Sequence, residues 1–268
     1  MQRIKILLVI VPLLILFNSF QDNMEKSNVL FCYGKINPSL VKDYKYAILE
    51  SKNFTKKDVT KMRSQNDKVF AYISLGEINQ YSSHFASLQK YTIGKNNIWN
   101  SYYIDLTSKK ANEILMKMVD ELFSFGYDGL FLDNIDNFTI YGPQKDQTKN
   151  VIDLIKQIKE KYPKKMFIQN AGLDLAEETS RYIDIIAIES IATSYDFKSK
   201  TCNLSELAMF ESKLDRINSI SGTYSIPFIL IEYADSYELA EKVKKRIGET
   251  GYPVFIGNID LQTFPKLK

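Results

Sequence analysis

From Asn28 onward the chain alternates short apolar runs rich in Val, Ile, Phe and Tyr with longer stretches whose apolar residues recur at helical spacing. That alternation predicts βα units built around a parallel sheet. Eight runs read as strands: 29–33, 46–50, 69–74, 129–133, 166–170, 183–189, 228–232 and 254–258. Eight such units predict an α/β fold of one domain, a (β/α)8 TIM barrel over residues 27–268. The alternative, an open doubly wound sheet, asks for a glycine-rich turn after its first strand, and the segment following Tyr33 is not one.

The intervening segments carry helix punctuation. Thr55, three residues before Asp58, predicts a capped start, and Ser108 is placed to cap a helix running through Phe123 that Gly126 ends. A third helix turns Val151, Leu154, Ile155 and Ile158 to one face and stops before Pro163. A fourth begins after Asp235 or Ser236, with Leu239, Val243 and Ile247 inward. One connection breaks the rhythm. About 34 residues separate Ser74 from the helix near Lys109, where 2 to 6 is usual. This loop holds Tyr81, Phe85, Tyr91, Trp99, Tyr102 and Tyr103, rings able to stack on flat ligand faces or to give the loop a small core of its own.

Composition adds a leader. Arg3 and Lys5 precede the uncharged run Ile6 to Phe17, twelve residues that fall short of a membrane span. Residues 1–22 are therefore expected to act as a signal peptide or N-terminal anchor, and the protein to be exported: secreted, periplasmic or held at the outer face of a membrane. Membrane contact is expected only through that segment. The remaining length suits one barrel, which takes about 250 residues. Without the stretch up to Asn18 the chain has 33 basic against 32 acidic residues, so no nucleic-acid partner is expected. Cys32 and Cys202 are expected as unpaired thiols, and with His84 the sole histidine no cluster has metal-ligand spacing. No metal and no cofactor are predicted.

In a barrel of this type the chemistry sits where the strands end. The residues closing the eight runs are Tyr33, Glu50, Ser74, Asp133, Asn170, Glu189, Glu232 and Asn258, with Glu77, Asp105 and Asp136 a few positions beyond. Any one acid there is readily explained as a cap or a solvated end. Four acids closing eight strands are not. Asp133 and Glu189, at the ends of the fourth and sixth runs, are the candidate catalytic pair: glycoside hydrolysis needs one carboxyl group to protonate the leaving oxygen and another to attack or to activate water. Tyr33, Ser74, Glu77, Trp99, Asp105, Asp136, Asn170 and Glu232 are the candidate substrate-binding residues.

The blocks Ala71 to Glu77, Tyr102 to Asp105, Gly126 to Asp136, Gln169-Asn170, Ala187 to Glu189 and Ile231 to Tyr233, in that order, resemble the endo-α-1,4-polygalactosaminidase family, glycoside hydrolase family 114. The strongest is Asp128-Gly129-x-x-x-Asp133-x-x-Asp136. The resemblance spans about Phe31 to Asn258. It implies a barrel that cuts partly deacetylated galactosamine polymers, with Asp133 and Glu189 as the catalytic pair and Glu77, Asp105 and Asp136 lining the cleft. Such a substrate is cationic, and a cleft lined with carboxylates concentrates it. A retaining mechanism is expected, with Asp133 as nucleophile and Glu189 as acid/base. Two other readings stand beside it: a surface barrel that binds polysaccharide without cutting it, and a metal-dependent hydrolase built on Asp133 and Asp136.

Overall fold

The computed structural model of the protein describes residues 28–264; the expected leader lies outside them. Eight strands form one sheet: β1 (Val29–Cys32), β2 (Tyr46–Leu49), β3 (Lys68–Ser74), β4 (Gly129–Asp133), β5 (Met166–Asn170), β6 (Ile185–Glu189), β7 (Phe228–Tyr233) and β8 (Val254–Gly257). They lie side by side in chain order, and every pair in the sheet is parallel. The sheet curls until β8 stands beside β1. No ladder joins these two; Tyr33 N donates to Leu261 O at 2.6 Å across the seam, and the Phe31 and Phe255 rings meet there at 5.4 Å. A side chain at Gly34 would bring a Cβ within 1.8 Å of the Gln262 carbonyl oxygen, so the seam requires glycine there.

Five long helices cover the barrel: α1 (Lys56–Arg63), α2 (Lys109–Ser124), α3 (Thr148–Lys161), α4 (Leu207–Tyr224) and α5 (Tyr237–Ile247). The Thr55/Asp58 pair closes a full capping box on α1. Ser108 accepts from Ala111 N and Ser236 from Leu239 N. α3 buries Val151, Leu154, Ile155 and Ile158, and α5 buries Leu239, Ala240, Val243 and Ile247, the faces the apolar spacing predicts. Residues 207–224 carry no comparable stripe, since α4 buries only Phe210 and Ile217. Among the described residues no helix is long and apolar enough to cross a membrane. Cys32 is buried and Cys202 partly so, and neither is bonded.

Two excursions rise beyond the strand ends. The long connection after β3 folds into a three-stranded antiparallel sheet, Glu77–Asn79, Ser101–Ile104 and Thr92–Asn96, with the second strand central. Its aromatics divide the work: Phe85 and Tyr102 pack at 5.3 Å as a small core, His84 pairs with Glu121 of α2 at 3.0 Å, and Tyr81 and Trp99 remain exposed. The second excursion, a hairpin of Thr193–Asp196 and Thr201–Leu204 after β6, is absent from the sequence-based expectations.

Candidate active site

Register decides which side chains enter the barrel. Asp133 is paired with Ser74, and Phe131 with Tyr72 and Ile168; since side chains alternate along a strand, Phe31, Tyr72, Phe131 and Phe255 fill the interior. Phe31 lies 5.3 Å from Phe131, and Tyr72 lies 4.7 Å from Tyr33 and 6.3 Å from Phe131. These rings form an aromatic floor. Above it, two residues further along their strands, stand the polar groups.

The Gly126 to Asp136 block shows how the local sequence delivers Asp133. Asp128 anchors the entry to β4, accepting from Arg63 Nε at 3.0 Å and from Val69 N at 3.0 Å. Gly129 follows because a Cβ would lie 2.2 Å from Met166 O and 2.6 Å from the Phe70 ring. After the apolar Leu130 to Leu132, Asp133 emerges inward at the mouth, and Asn134 turns the chain away with a left-handed backbone, φ 61°.

Asp133 and Glu189 are brought together. Asn170, at the end of β5 between them, donates from one nitrogen to Asp133 Oδ1 at 2.8 Å and to Glu189 Oε1 at 2.7 Å. Those two oxygens therefore lie at most 5.5 Å apart, the two bonds laid end to end. Turning the amide over would set its oxygen against both carboxylates, so the acids dictate its orientation. The outer oxygens are held as well: Tyr72 OH donates to Asp133 Oδ2 at 2.6 Å and Tyr233 OH to Glu189 Oε2 at 2.5 Å. Burial pushes the Glu189 carboxyl above the usual range, the Asp133 charge adds to the rise, and the Tyr233 and Asn170 hydrogen bonds oppose it. Asp136, on the rim, is raised by loss of water and by Asp133. Glu50, inward at the end of β2, is raised by burial and drawn back by Lys52 at 4.0 Å. Tyr33, Tyr72 and Tyr233 are all pushed well up, first by burial and then by these carboxylates, so they stay neutral, and Tyr72 and Tyr233 act as donors.

The remaining candidates separate. Tyr33 stands inward beside Tyr72, and Trp99 is half exposed on the rim. Ser74 works as a latch, giving its proton to Asn134 Oδ1 at 2.6 Å and accepting from Glu77 N at 2.8 Å. Glu77 is buried, accepting from Ser101 Oγ, from Asn96 at 3.2 Å and from Asn137 at 2.9 Å, and so ties the first excursion to the loop after β4. Asp105 caps the turn into α2, accepting from Thr107 N at 3.0 Å and Oγ1 at 2.7 Å. Glu232 requires a correction. Ile231 is paired with Glu189 and shares its inward face, so Glu232 points outward, is 0% exposed and receives Ile191 N, Ala192 N and Thr193 N, each at 2.9 Å, with Thr193 Oγ1 at 2.6 Å. It holds the root of the second hairpin and does not line the cleft. Tyr72 and Tyr233 are the residues missed as site members; their signal is position, two residues before Ser74 and one past the end assigned to strand 7. Among the described residues no three acidic, His or Cys side chains converge as metal ligands.

The family's sequence model, described as "Glycoside-hydrolase family GH114", matches residues 23–266. The chain belongs to glycoside hydrolase family 114. It is a glycoside hydrolase. The glycoside hydrolase domain of PelA from Pseudomonas aeruginosa is similar at 22% identity and a TM-score of 0.77, over 90% of this chain and 98% of that one. Aspergillus fumigatus Ega3, solved in complex with galactosamine, is similar at 14% identity and a TM-score of 0.70, over 90% and 93%. A maltogenic α-amylase, AmyB from Thermotoga neapolitana, shares the fold more loosely, at a TM-score of 0.56 and 12% identity over 90% and 69%. At these identities the likeness is one of fold. No curated protein matches the chain.

Proposed function

We propose that this family 114 hydrolase cuts an amino-sugar polysaccharide of the α-1,4-galactosamine type by double displacement with retention. The observation that carries the reading is the single Asn170 nitrogen shared by Asp133 and Glu189, which holds their nearest oxygens within 5.5 Å. Retaining enzymes keep their carboxyl groups about 5–5.5 Å apart, whereas inversion needs about 6.5–9.5 Å to admit a water. Glu189, the acid that burial and its neighbour push upward, protonates the glycosidic oxygen as Asp133 attacks the anomeric carbon and the C–O bond breaks. In the second step Glu189, now ionised, takes a proton from water, whose oxygen displaces Asp133 and regenerates both groups. Asn170, Tyr72 and Tyr233 hold the two carboxylates in place throughout.

The charge of the mouth favours the amino sugar. Asp133, Glu189, Asp136 and Glu50 gather there, and a site of one sign attracts a polymer carrying ammonium groups. Family membership and the fold shared with Ega3, a protein solved with galactosamine, point the same way. The test is release of reducing ends from deacetylated galactosamine polymer, run beside glucosamine and N-acetylated polymers, with the anomer of the first product read by NMR. Cleavage of the deacetylated polymer with retained configuration is expected. Retention of the protein on polymer without cleavage would make it a binding barrel, and a first product of opposite configuration would remove the double displacement.

A further inference from the structure

The two excursions meet at their tips. Trp99 sits on the turn between Thr92–Asn96 and Ser101–Ile104, and Phe197 on the turn between Thr193–Asp196 and Thr201–Leu204. Their rings touch edge to face, 5.9 Å between centroids at 81°, and Tyr195 meets Phe197 at 4.9 Å and 85°. One excursion is rooted on β3 and the other on β6, so between their roots stand β4 and β5 with Asp133 and Asn170. The Trp99 and Phe197 rings are each 51% exposed, on turns that also carry polar residues, Asn97 and Asn100 on one and Lys198, Ser199 and Lys200 on the other, whereas both roots are built rigidly. Glu77 ties down Asn96 and Ser101, and Asn79 donates to Trp99 O at 3.3 Å. Glu232 fixes residues 191–193, Ser205 N donates to Ala192 O at 2.8 Å, and Cys202 N to Asp235 Oδ2 at 2.9 Å. Packing of the barrel does not require rings at the tips, and leaving them in water is unfavourable.

We propose that Trp99, Phe197 and Tyr195 form an aromatic arch beside the carboxylate pair, a subsite that grips amino-sugar rings remote from the bond being cut and so favours long chains over short ones. The inference rests on the amino-sugar reading above. A pyranose offers a C–H face that packs on an aromatic ring, and an ammonium group is drawn to the same ring face; an amino-sugar residue has both. Both excursions root on the strands that flank β4 and β5, so a chain bound across the acidic mouth between them runs beneath the arch.

Trp99 is the one tryptophan of the chain, so its emission reports on the arch directly. The full chain carrying Glu189→Gln is titrated with galactosamine oligomers of increasing length, binding being followed by calorimetry and Trp99 fluorescence together. The emission is expected to change with long oligomers and not with the monosaccharide, and Phe197→Ala in the same background should weaken the longest oligomers about tenfold and flatten the dependence on length. Oligomers that bind by calorimetry while Trp99 stays silent overturn the arch alone, as does a Phe197→Ala loss equal at all lengths. If no oligomer binds and the unsubstituted protein releases no reducing ends, the amino-sugar reading and the arch fall together. Circular dichroism of Phe197→Ala separates loss of the arch from loss of the fold.

Discussion

Replacing Tyr233 by Phe removes one hydrogen from the Glu189 carboxylate and little else. The ring stays in a buried position, 3% exposed, so no water takes over the lost bond, and Asn170 still serves the other oxygen. The bond removed is short, 2.5 Å, and made to an oxygen that is charged when Glu189 is ionised. Hydrogen bonds to charged groups contribute about 1.5–3 kcal/mol, and 1.36 kcal/mol corresponds to one pH unit. Since Tyr233 stabilises the ionised form, its loss drives the Glu189 pKa further in the direction in which burial and Asp133 already push it. The proposed acid must carry its proton, so activity falls as pH rises through that pKa. The alkaline limb of kcat/KM, which reports the free enzyme, should therefore move up by about one to two pH units in Tyr233→Phe. Tyr72→Phe is the control, because Tyr72 donates to Asp133 instead, and it should move that limb far less. An alkaline limb that stays in place or moves down in Tyr233→Phe would show that Glu189 is not the group that must be protonated.

Asp133→Asn and Glu189→Gln should each lower turnover by about a hundredfold to ten-thousandfold with the circular dichroism spectrum intact, and azide should rescue an Asp133→Ala variant as a glycosyl azide of inverted configuration; an inverted azide formed by a Glu189→Ala variant instead would exchange the two roles. Glu189→Gln should also raise the melting temperature at neutral pH. Burial and Asp133 raise the Glu189 pKa in the folded protein, so what the group adds to stability is fully present below the ordinary glutamate range and is lost as pH rises through the raised value; melting curves in which the gain persists at acid pH would refute this. Glu232→Ala strands three buried N–H groups and should cost about 3 kcal/mol or more in denaturant unfolding, whereas an ordinary melt with weakened substrate binding would return Glu232 to the cleft. Deletion of residues 1–22 should leave the protein in the cytosolic fraction of a native-like host while full-length protein is exported; equal distribution of the two would end the export proposal.

What the sequence disclosed, and what it withheld, follows from where the determinants lie. Strands and capped helices were legible because their signals are local: an apolar run, Thr55 before Asp58, four apolar residues on one face of α3. α4 was not, because it buries only two side chains along its length and leaves no stripe. The second hairpin was not legible either, because what roots it is Glu232, about 40 residues away on another strand.

The same contrast governs the site. Strands of a barrel are apolar on both faces, so the run Phe228 to Ile231 has no alternation to mark its inward side. The carboxylate that ended that run looked like a cleft acid, yet a shift of one residue exchanges the faces. It is the neighbouring Tyr233 that turns in. Partners resolve what position leaves open. Glu232 is surrounded by backbone N–H groups that bind a carboxylate and offer it no reaction, whereas Glu189 shares an amide with a second acid whose charge opposes its own. A carboxylate satisfied by four donors is a fastening. One pressed against another carboxylate is a group whose proton can be moved, and the barrel places that arrangement at Asp133 and Glu189 above its aromatic floor.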